Sequence, residues 1–287
     1  MTPATSADAI AVALAEELES WQTPHGAVML ADRAGVLGAA GRTQDDLPWA
    51  SVTKIVAALA VLDVVAEGLL DLDAPAGPPG STVRHLLGHA SGLAFEGERT
   101  LAAPGTRRIY SNAGIDAAVD IAVAAAGAAG QEELLRLRVL APLAMTRTTL
   151  IGSAAHGLHG PLDDMALLAG ELLASSALRP GVVAAATTLS FPDLAGVLPG
   201  YGRQDPNDWG LGVELRGRKA PHWMPPSAAP DAFGHFGQSG SFLWVDPRRG
   251  LAAAALTGRA FGPWAVDAWP RSSERWMHNG ESRGGRT

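Results

Sequence analysis

Ser51-Val52-Thr53-Lys54 sets a hydroxyl and an amine three residues apart, just before the apolar positions Ile55, Leu59, Leu62, Val65 and Leu69, whose spacing describes one face of a helix. If Ser51 opens that helix, the amine lies one turn on and can reach the hydroxyl. An alcohol is a poor nucleophile at neutral pH. A lysine whose pKa is depressed by burial or by another cation can take its proton, and a helix N-terminus favours the negative charge that develops. The same four residues also fit an N-cap serine followed by a solvated lysine. Tyr110-Ser111-Asn112 follows the turn Pro104-Gly105-Thr106, and there a phenol could relay a proton while Asn112 offers a donor and an acceptor to an ester or amide. A loop tyrosine with a helix-capping asparagine is the plainer reading. Gly234-His235-Phe236-Gly237-Gln238-Ser239-Gly240 carries three glycines in seven residues, which lets a ligand approach the backbone and its N–H groups. A glycine-softened edge strand with a bulge has the same composition.

These residues need elements to hold them. Residues 5–20 are rich in Ala and Glu, with Ile10, Val12, Leu14 and Leu18 apolar, and read as an amphipathic helix covering a sheet. Ala27–Leu30 and Val36–Ala40 flank an Asp- and Gly-containing turn and read as a hairpin. Ser241–Val245 and Leu251–Thr257 flank Asp246-Pro247-Arg248-Arg249-Gly250 and read as a second. Both are too short to stand alone, so they are expected to share one antiparallel sheet. Between them residues 51–190 are helical in pattern, with breaks near Asp73–Gly80, Ala103–Thr106 and Ser153–Pro161. The expected fold is α+β: an antiparallel sheet flanked by N- and C-terminal helices, with an inserted all-helical domain. The expected division is a sheet domain from residues 1–50 and 191–278, a helical domain from 51–190 with the nucleophile at the interface, and a flexible tail at 279–287. Residues 217–232, with Pro221, Pro225, Pro226 and Pro230, read as an exposed connection.

Composition narrows the chemistry. Among 287 residues there is no Cys, which removes thiol nucleophiles, Cys-ligated metals and disulfides. A net charge of −7 with no basic run argues against a nucleic-acid partner. With 47% hydrophobic and 18% charged residues, a sizeable core is expected. Asp8, Glu16, Glu17 and Glu19 interrupt the N-terminal stretch and no apolar run reaches the ~18 residues of a membrane span, so a cytoplasmic protein with no membrane partner is expected. His85 and His89 have the i, i+4 spacing of some zinc sites, but Leu86 stands where a metalloprotease has Glu, and a structural role is favoured. His156, His159, Asp163 and Asp164 read as a solvated loop cluster. No serine has Gly at both minus two and plus two, which excludes an α/β-hydrolase elbow. Neither a cofactor nor a metal is expected.

Taken jointly and in this order, the three constellations resemble the serine β-lactamase and penicillin-binding-protein superfamily, specifically its class C β-lactamase and related esterase branch. Asp71-Leu72-Asp73, the segment Thr82–Leu93, Pro142-Leu143-Ala144-Met145, Trp209-Gly210-Leu211-Gly212 and Leu243-Trp244-Val245-Asp246-Pro247 are also similar to segments of that family, over roughly residues 25–260. The resemblance implies Ser51 as nucleophile, Lys54 and Tyr110 as shared base and proton shuttle, and Asn112 as a substrate-positioning group. It sets His235-Phe236-Gly237 where the family has Lys-Thr-Gly or His-Thr-Gly, with the N–H groups of Ser51 and Gln238 as oxyanion hole. His235 and Phe236 depart from Lys and Thr, which weakens the expected grip on a β-lactam or D-Ala carboxylate. The short spacing between the first two motifs implies trimmed loops. The expectation is a serine hydrolase that passes through an acyl-enzyme, acting on small neutral carboxylic esters. β-Lactamase or D-Ala-D-Ala carboxypeptidase activity, and a catalytically weak binding protein on the same fold, are the alternatives. Oligomeric state is left open.

Overall fold

GAVMLAD at Gly26–Asp32 is an unbroken apolar run, the pattern of a strand covered on both faces, and all but its last residue are buried. Asp32 closes it by accepting hydrogen bonds from the backbone of Ala34 (2.7 Å) and Gly35 (3.2 Å). The computed structural model describes residues 6–284. In chain order these form α1 (Ser6–Ser20), β1 (Gly26–Asp32), β2 (Gly35–Gly41), β3 (Leu47–Pro48), a 3₁₀ turn (Ala50–Val52), α2 (Thr53–Ala66), α3 (Val83–Leu87), α4 (Asn112–Ala126) and α5 (Gln131–Leu135), which continues as a π turn to Leu140. There follow β4 (Thr149–Leu150), β5 (Leu158–Gly160), α6 (Leu162–Ala174), α7 (Val182–Thr187), β6 (Gly196–Leu198), β7 (Gly202–Gln204), β8 (Glu214–Leu215), β9 (Phe233–Gly237), β10 (Ser241–Asp246), β11 (Leu251–Thr257) and α8 (Pro263–Gly284).

The two hairpins lie in one six-stranded sheet of order β2-β1-β11-β10-β9-β8, antiparallel throughout. The join is β1 against β11, in register from Gly26–Thr257 to Asp32–Leu251. The sheet separates two cores. Alternate residues Ala252, Ala254 and Leu256 of β11 face the helical insertion, while Ala253 and Ala255 face the layer that holds Trp21, Trp223, Phe242, Trp269 and Trp276. Small alanines in a central strand leave room for large side chains above and below. Helix α2 is buried from Thr53 to Val64, the behaviour of a helix apolar all round and enclosed by others.

Two expectations need correction. Residues 279–284 are not a loose tail: α8 runs to Gly284, because Gly280 lies against Leu251 and Glu281 pairs with Arg249 at 2.5 Å. Residues 285–287 of that expected tail lie outside the described residues. The proline-rich segment at 217–232 is not an exposed connection either. It buries Lys219, His222, Trp223 and Met224, because a carboxylate on β8 needs the donors of the first three, as described below. No single helix among the described residues is long and apolar enough to cross a membrane.

Gly212 fixes how closely β8 and its approach can pack on α2. It has φ of +73°, and a Cβ there would lie 2.2 Å from Ala58 Cβ and 2.9 Å from the carbonyl oxygen of Lys54. Neither neighbour is a flexible tip. Gly212→Ala is therefore expected to cost about 2–4 kcal/mol, from overpacking together with a left-handed backbone that alanine dislikes. Chemical denaturation checks this: a midpoint equal to that of the parent chain would show that the contact yields freely.

Candidate active site

Ser51 sits in the 3₁₀ turn just ahead of α2. The turn is forced. Ala50 takes φ of +45°, a conformation that costs a non-glycine residue about 1–2 kcal/mol, and it is kept by the contacts on either side. Trp49 is fully buried and donates from Nε1 to the carbonyl of Gly160 on β5 (3.2 Å). On the other side, Ser239 donates to the carbonyl of Pro48 (2.8 Å) and Ser241 to that of Trp49 (2.7 Å), so the β9–β10 turn is fastened to the chain entering the nucleophile. Gly237 permits the approach, since a Cβ there would lie 2.7 Å from the Trp49 oxygen. Gln238, the next residue, thereby comes beside Ser51, and both line one cavity of about 670 Å³.

Lys54 is completely buried, one turn into α2. Its Nζ lies 3.3 Å from Ser51 Oγ and donates to Asn112 Oδ1 (2.6 Å) and to the carbonyl of Ala155 (2.8 Å). A carboxylate stands behind each acceptor. Glu96 accepts from Asn112 Nδ2 at 2.6 Å, which turns the oxygen of that amide toward Lys54. Asp116 accepts from the backbone N–H of Ala155 (3.1 Å) and from Ser153 Oγ (2.8 and 2.7 Å), which holds the other acceptor. Burial brings the lysine pKa down to about 7, partly opposed by the charges of Asp116 and Glu96. An amine with that pKa exchanges protons readily at neutral pH.

Tyr110 lies with its ring 4.8 Å from Lys54 Nζ, stacked on Phe95 and packed against His89 and Trp209. Burial raises its pKa above the ordinary 10, with a hydrogen bond to Ser51 acting the other way, so it stays a neutral phenol that can pass a proton. His235 faces it, Nε2 being 3.4 Å from the phenol oxygen. Its Nδ1 is 2.7 Å from the carbonyl of Phe236, and since a carbonyl accepts, Nδ1 carries the proton and Nε2 is an acceptor. Burial, then the nearby Lys54, pulls the His235 pKa down to about 3, so the imidazole is neutral at working pH.

Ser51, Tyr110, His235 and Gln238 thus meet at one cavity, with Lys54 beneath it. Asn112 is placed differently from a substrate-positioning group: it is 5% exposed and both ends of its amide are engaged within the protein. Phe236 follows strand alternation, with its ring in the aromatic layer against Phe261 (centroids 4.9 Å) and its edge at the cavity wall. His85 and His89 do not share a helix face, because α3 ends at Leu87 and His89 has φ of +55°. His89 accepts from the backbone of Ser111 (3.2 Å) and supports Tyr110 from behind.

Glu96, Asp116, Ser239 and Ser241 were not read from the sequence. Ser239 lay inside the glycine motif and Ser241 just after it, and their roles could have been noticed. A lone glutamate in a loop and an aspartate on a helix carry no local signal. Glu214, on β8, was also missed. It lines the cavity and accepts from Lys219 Nζ (2.6 Å), His222 Nε2 (2.8 Å) and Trp223 Nε1 (2.7 Å), all buried.

A serine on a strained turn, a buried lysine one helical turn on, a phenol beside them and a glycine strand alongside, all at the junction of an antiparallel sheet and a helical insertion, go with a serine-hydrolase type of fold. The chain belongs to the beta-lactamase family, whose model matches residues 14–273. A solved beta-lactamase from Mycobacterium bovis is 46% identical, with a TM-score of 0.90 covering 93% of this chain and 98% of that one. Simvastatin synthase from Aspergillus terreus shares the fold at 16% identity and a TM-score of 0.75, covering 99% of this chain and 100% of that one. An octameric penicillin-binding protein homologue from Pyrococcus abyssi shares it at 19% identity and a TM-score of 0.72, covering 94% and 75%. Among curated proteins none matches the chain.

Proposed function

We propose that this protein hydrolyses small carboxylic esters through an acyl-enzyme on Ser51, with an uncharged reacting end of the substrate beside His235. The observation that carries the reading is the fully buried Lys54, its Nζ 3.3 Å from Ser51 Oγ and its pKa near neutrality. Neutral Lys54 takes the Oγ proton, directly or through Tyr110, as Oγ bonds to the ester carbon and the carbonyl electrons move onto its oxygen. The N–H groups of Ser51 and Gln238 are the donors for that oxyanion. Collapse breaks the bond to the alcohol, which leaves with the proton held by Lys54 or Tyr110. Water then attacks the acyl-Ser51 by the same route, releasing the acid and restoring the serine.

The Mycobacterium bovis relative is called a beta-lactamase, which keeps β-lactam hydrolysis as the second reading. Against it, a neutral His235 whose Nε2 accepts has no donor for a β-lactam carboxylate, and Phe236 brings none. Losing one charge-assisted and one neutral hydrogen bond costs roughly 2–4 kcal/mol of carboxylate recognition at that spot. A higher kcat/KM on p-nitrophenyl butyrate than on a chromogenic cephalosporin is expected, and the reverse order selects the second reading. In either assay Ser51→Ala is expected to abolish turnover and fluorophosphonate labelling. Labelling that persists elsewhere in the chain would remove Ser51 from the mechanism.

A further inference from the structure

One wall of the cavity is a small ribbon of three extended segments. Arg108 bridges Gly196 in parallel, its N–H donating to the carbonyl of Ala195 (2.9 Å), and β6 pairs with β7 so that Val197 stands opposite Arg203. Arg108 borders the cavity, but its side chain is committed to the body of the protein. Its buried guanidinium donates to the carbonyls of Gly88, Ser190 (2.8 Å), Phe191 (2.9 Å) and Asn207 (3.2 Å), which rivets the ribbon to the body of the protein. Alternation then turns the residues on either side of it, Arg107 and Ile109, to the opposite face, which lines the cavity together with Val197 and Arg203.

The face has an apolar centre and a guanidinium at each side. Arg107 is exposed and makes no salt bridge among the described residues. Arg203 is 70% exposed and shares an ion pair with the equally open Asp205 (2.9 Å), a contact of the kind that yields to a better partner. Among the described residues lining the cavity the one carboxylate is Glu214, already held by Lys219 and His222. In a chain of net charge −7, this cleft is therefore electropositive where the rest of the surface is acidic on balance. Arginine forks suit the two oxygens of a carboxylate.

We propose that Arg107 and Arg203 form a subsite for an anionic group at the end of the substrate remote from the scissile ester, with Ile109 and Val197 carrying the apolar chain between. The proposal rests on the hydrolytic reading above and refines its substrate class: half-esters of dicarboxylic acids, charged far from His235 and uncharged beside it.

Mono-p-nitrophenyl glutarate and its methyl diester have the same acyl chain and differ in the remote charge. The parent protein is expected to favour the half-ester in kcat/KM by about tenfold, with the preference shrinking as salt is added. In Arg107→Ala and Arg203→Ala the ratio is expected to move toward one, and in Arg107→Lys to be partly kept. Equal efficiency on the two esters, or a preference that neither alanine variant changes, overturns the subsite. A second readout is independent of which ester is turned over: glutarate is expected to slow fluorophosphonate labelling of Ser51 in the parent protein and not in the double alanine variant. Absence of protection in the parent sinks the subsite, whereas absence of labelling itself sinks the hydrolytic reading.

Discussion

Replacing Lys54 by Met is expected to lower the rate of Ser51 acylation by a factor of about 10²–10⁴, the usual worth of a general base, while the apolar side chain keeps α2 packed. The parent protein supplies the matching pH dependence. With a Lys54 pKa of about 7, the amine is protonated and inactive as base below that value, so kcat/KM is expected to rise through pH 7 and level off above it. Fluorophosphonate labelling followed against pH reports this limb without reference to the ester. A limb near 10 would mean that the lysine is solvated, and a rate in Lys54→Met within a few fold of the parent would assign the proton to another group.

The two carboxylates behind Lys54 tune that limb. Glu96→Gln keeps an acceptor for the Asn112 amide and removes a charge that raises the lysine pKa, so the limb should move to lower pH, by roughly half to one unit at the distances and exposure involved. Glu96→Ala loses the acceptor as well, and its plateau rate should fall because nothing then fixes which end of Asn112 meets Lys54. The pair of variants separates charge from geometry in the same side chain.

How much of this was legible before the structure depends on the range of each interaction. The serine and lysine were readable because a helix repeats every 3.6 residues, which makes an i, i+3 pair a local fact. The hairpins were readable from turn chemistry, and their union in one sheet followed from neither being stable alone. Lys54 is set by Asn112, Ala155, Glu96 and Asp116, which lie on a loop, a helix and a later turn with no fixed spacing to Ser51. The 217–232 segment was misread for the same reason. Its prolines and small residues give the composition of a linker, and the pull that buries it comes from Glu214, a residue indistinguishable in sequence from any surface glutamate. The wall carrying Arg107 and Arg203 was missed because the segment around Arg108 joins the 196–204 hairpin from far away in the chain.

That buried carboxylate carries the largest expected effect on stability. Burial opposes ionisation of Glu214, but the charge of Lys219 and the hydrogen bonds from His222 and Lys219 outweigh it and hold its pKa well below the ordinary 4.5. His222 accepts at Nδ1 from the backbone of Met224 (3.1 Å) and so carries its proton on Nε2, toward Glu214; it remains neutral, with burial the main cause of a pKa lowered to about 4. Glu214→Leu leaves the Lys219 ammonium, 0% exposed, without its counter-charge. Breaking one side of a buried pair costs about 3–5 kcal/mol, and in a chain of this size that lowers the melting temperature by about 10 °C. The sign of the pH dependence then distinguishes cause from coincidence. In the variant, Lys219 has a folded pKa depressed below 10.5 by burial with only Asp208 left to offset it, so the unfolded chain binds more protons and stability should recover as the pH rises toward 10.5. The parent should instead weaken as the pH falls from 6.5 toward 4, where unfolding lets His222 take up a proton that the folded site refuses. Thermal melts across pH 4–10 decide the matter. A variant as stable as the parent, or one whose deficit does not shrink at alkaline pH, would mean that Lys219 finds another anion or reaches water, and that the cavity wall does not depend on Glu214.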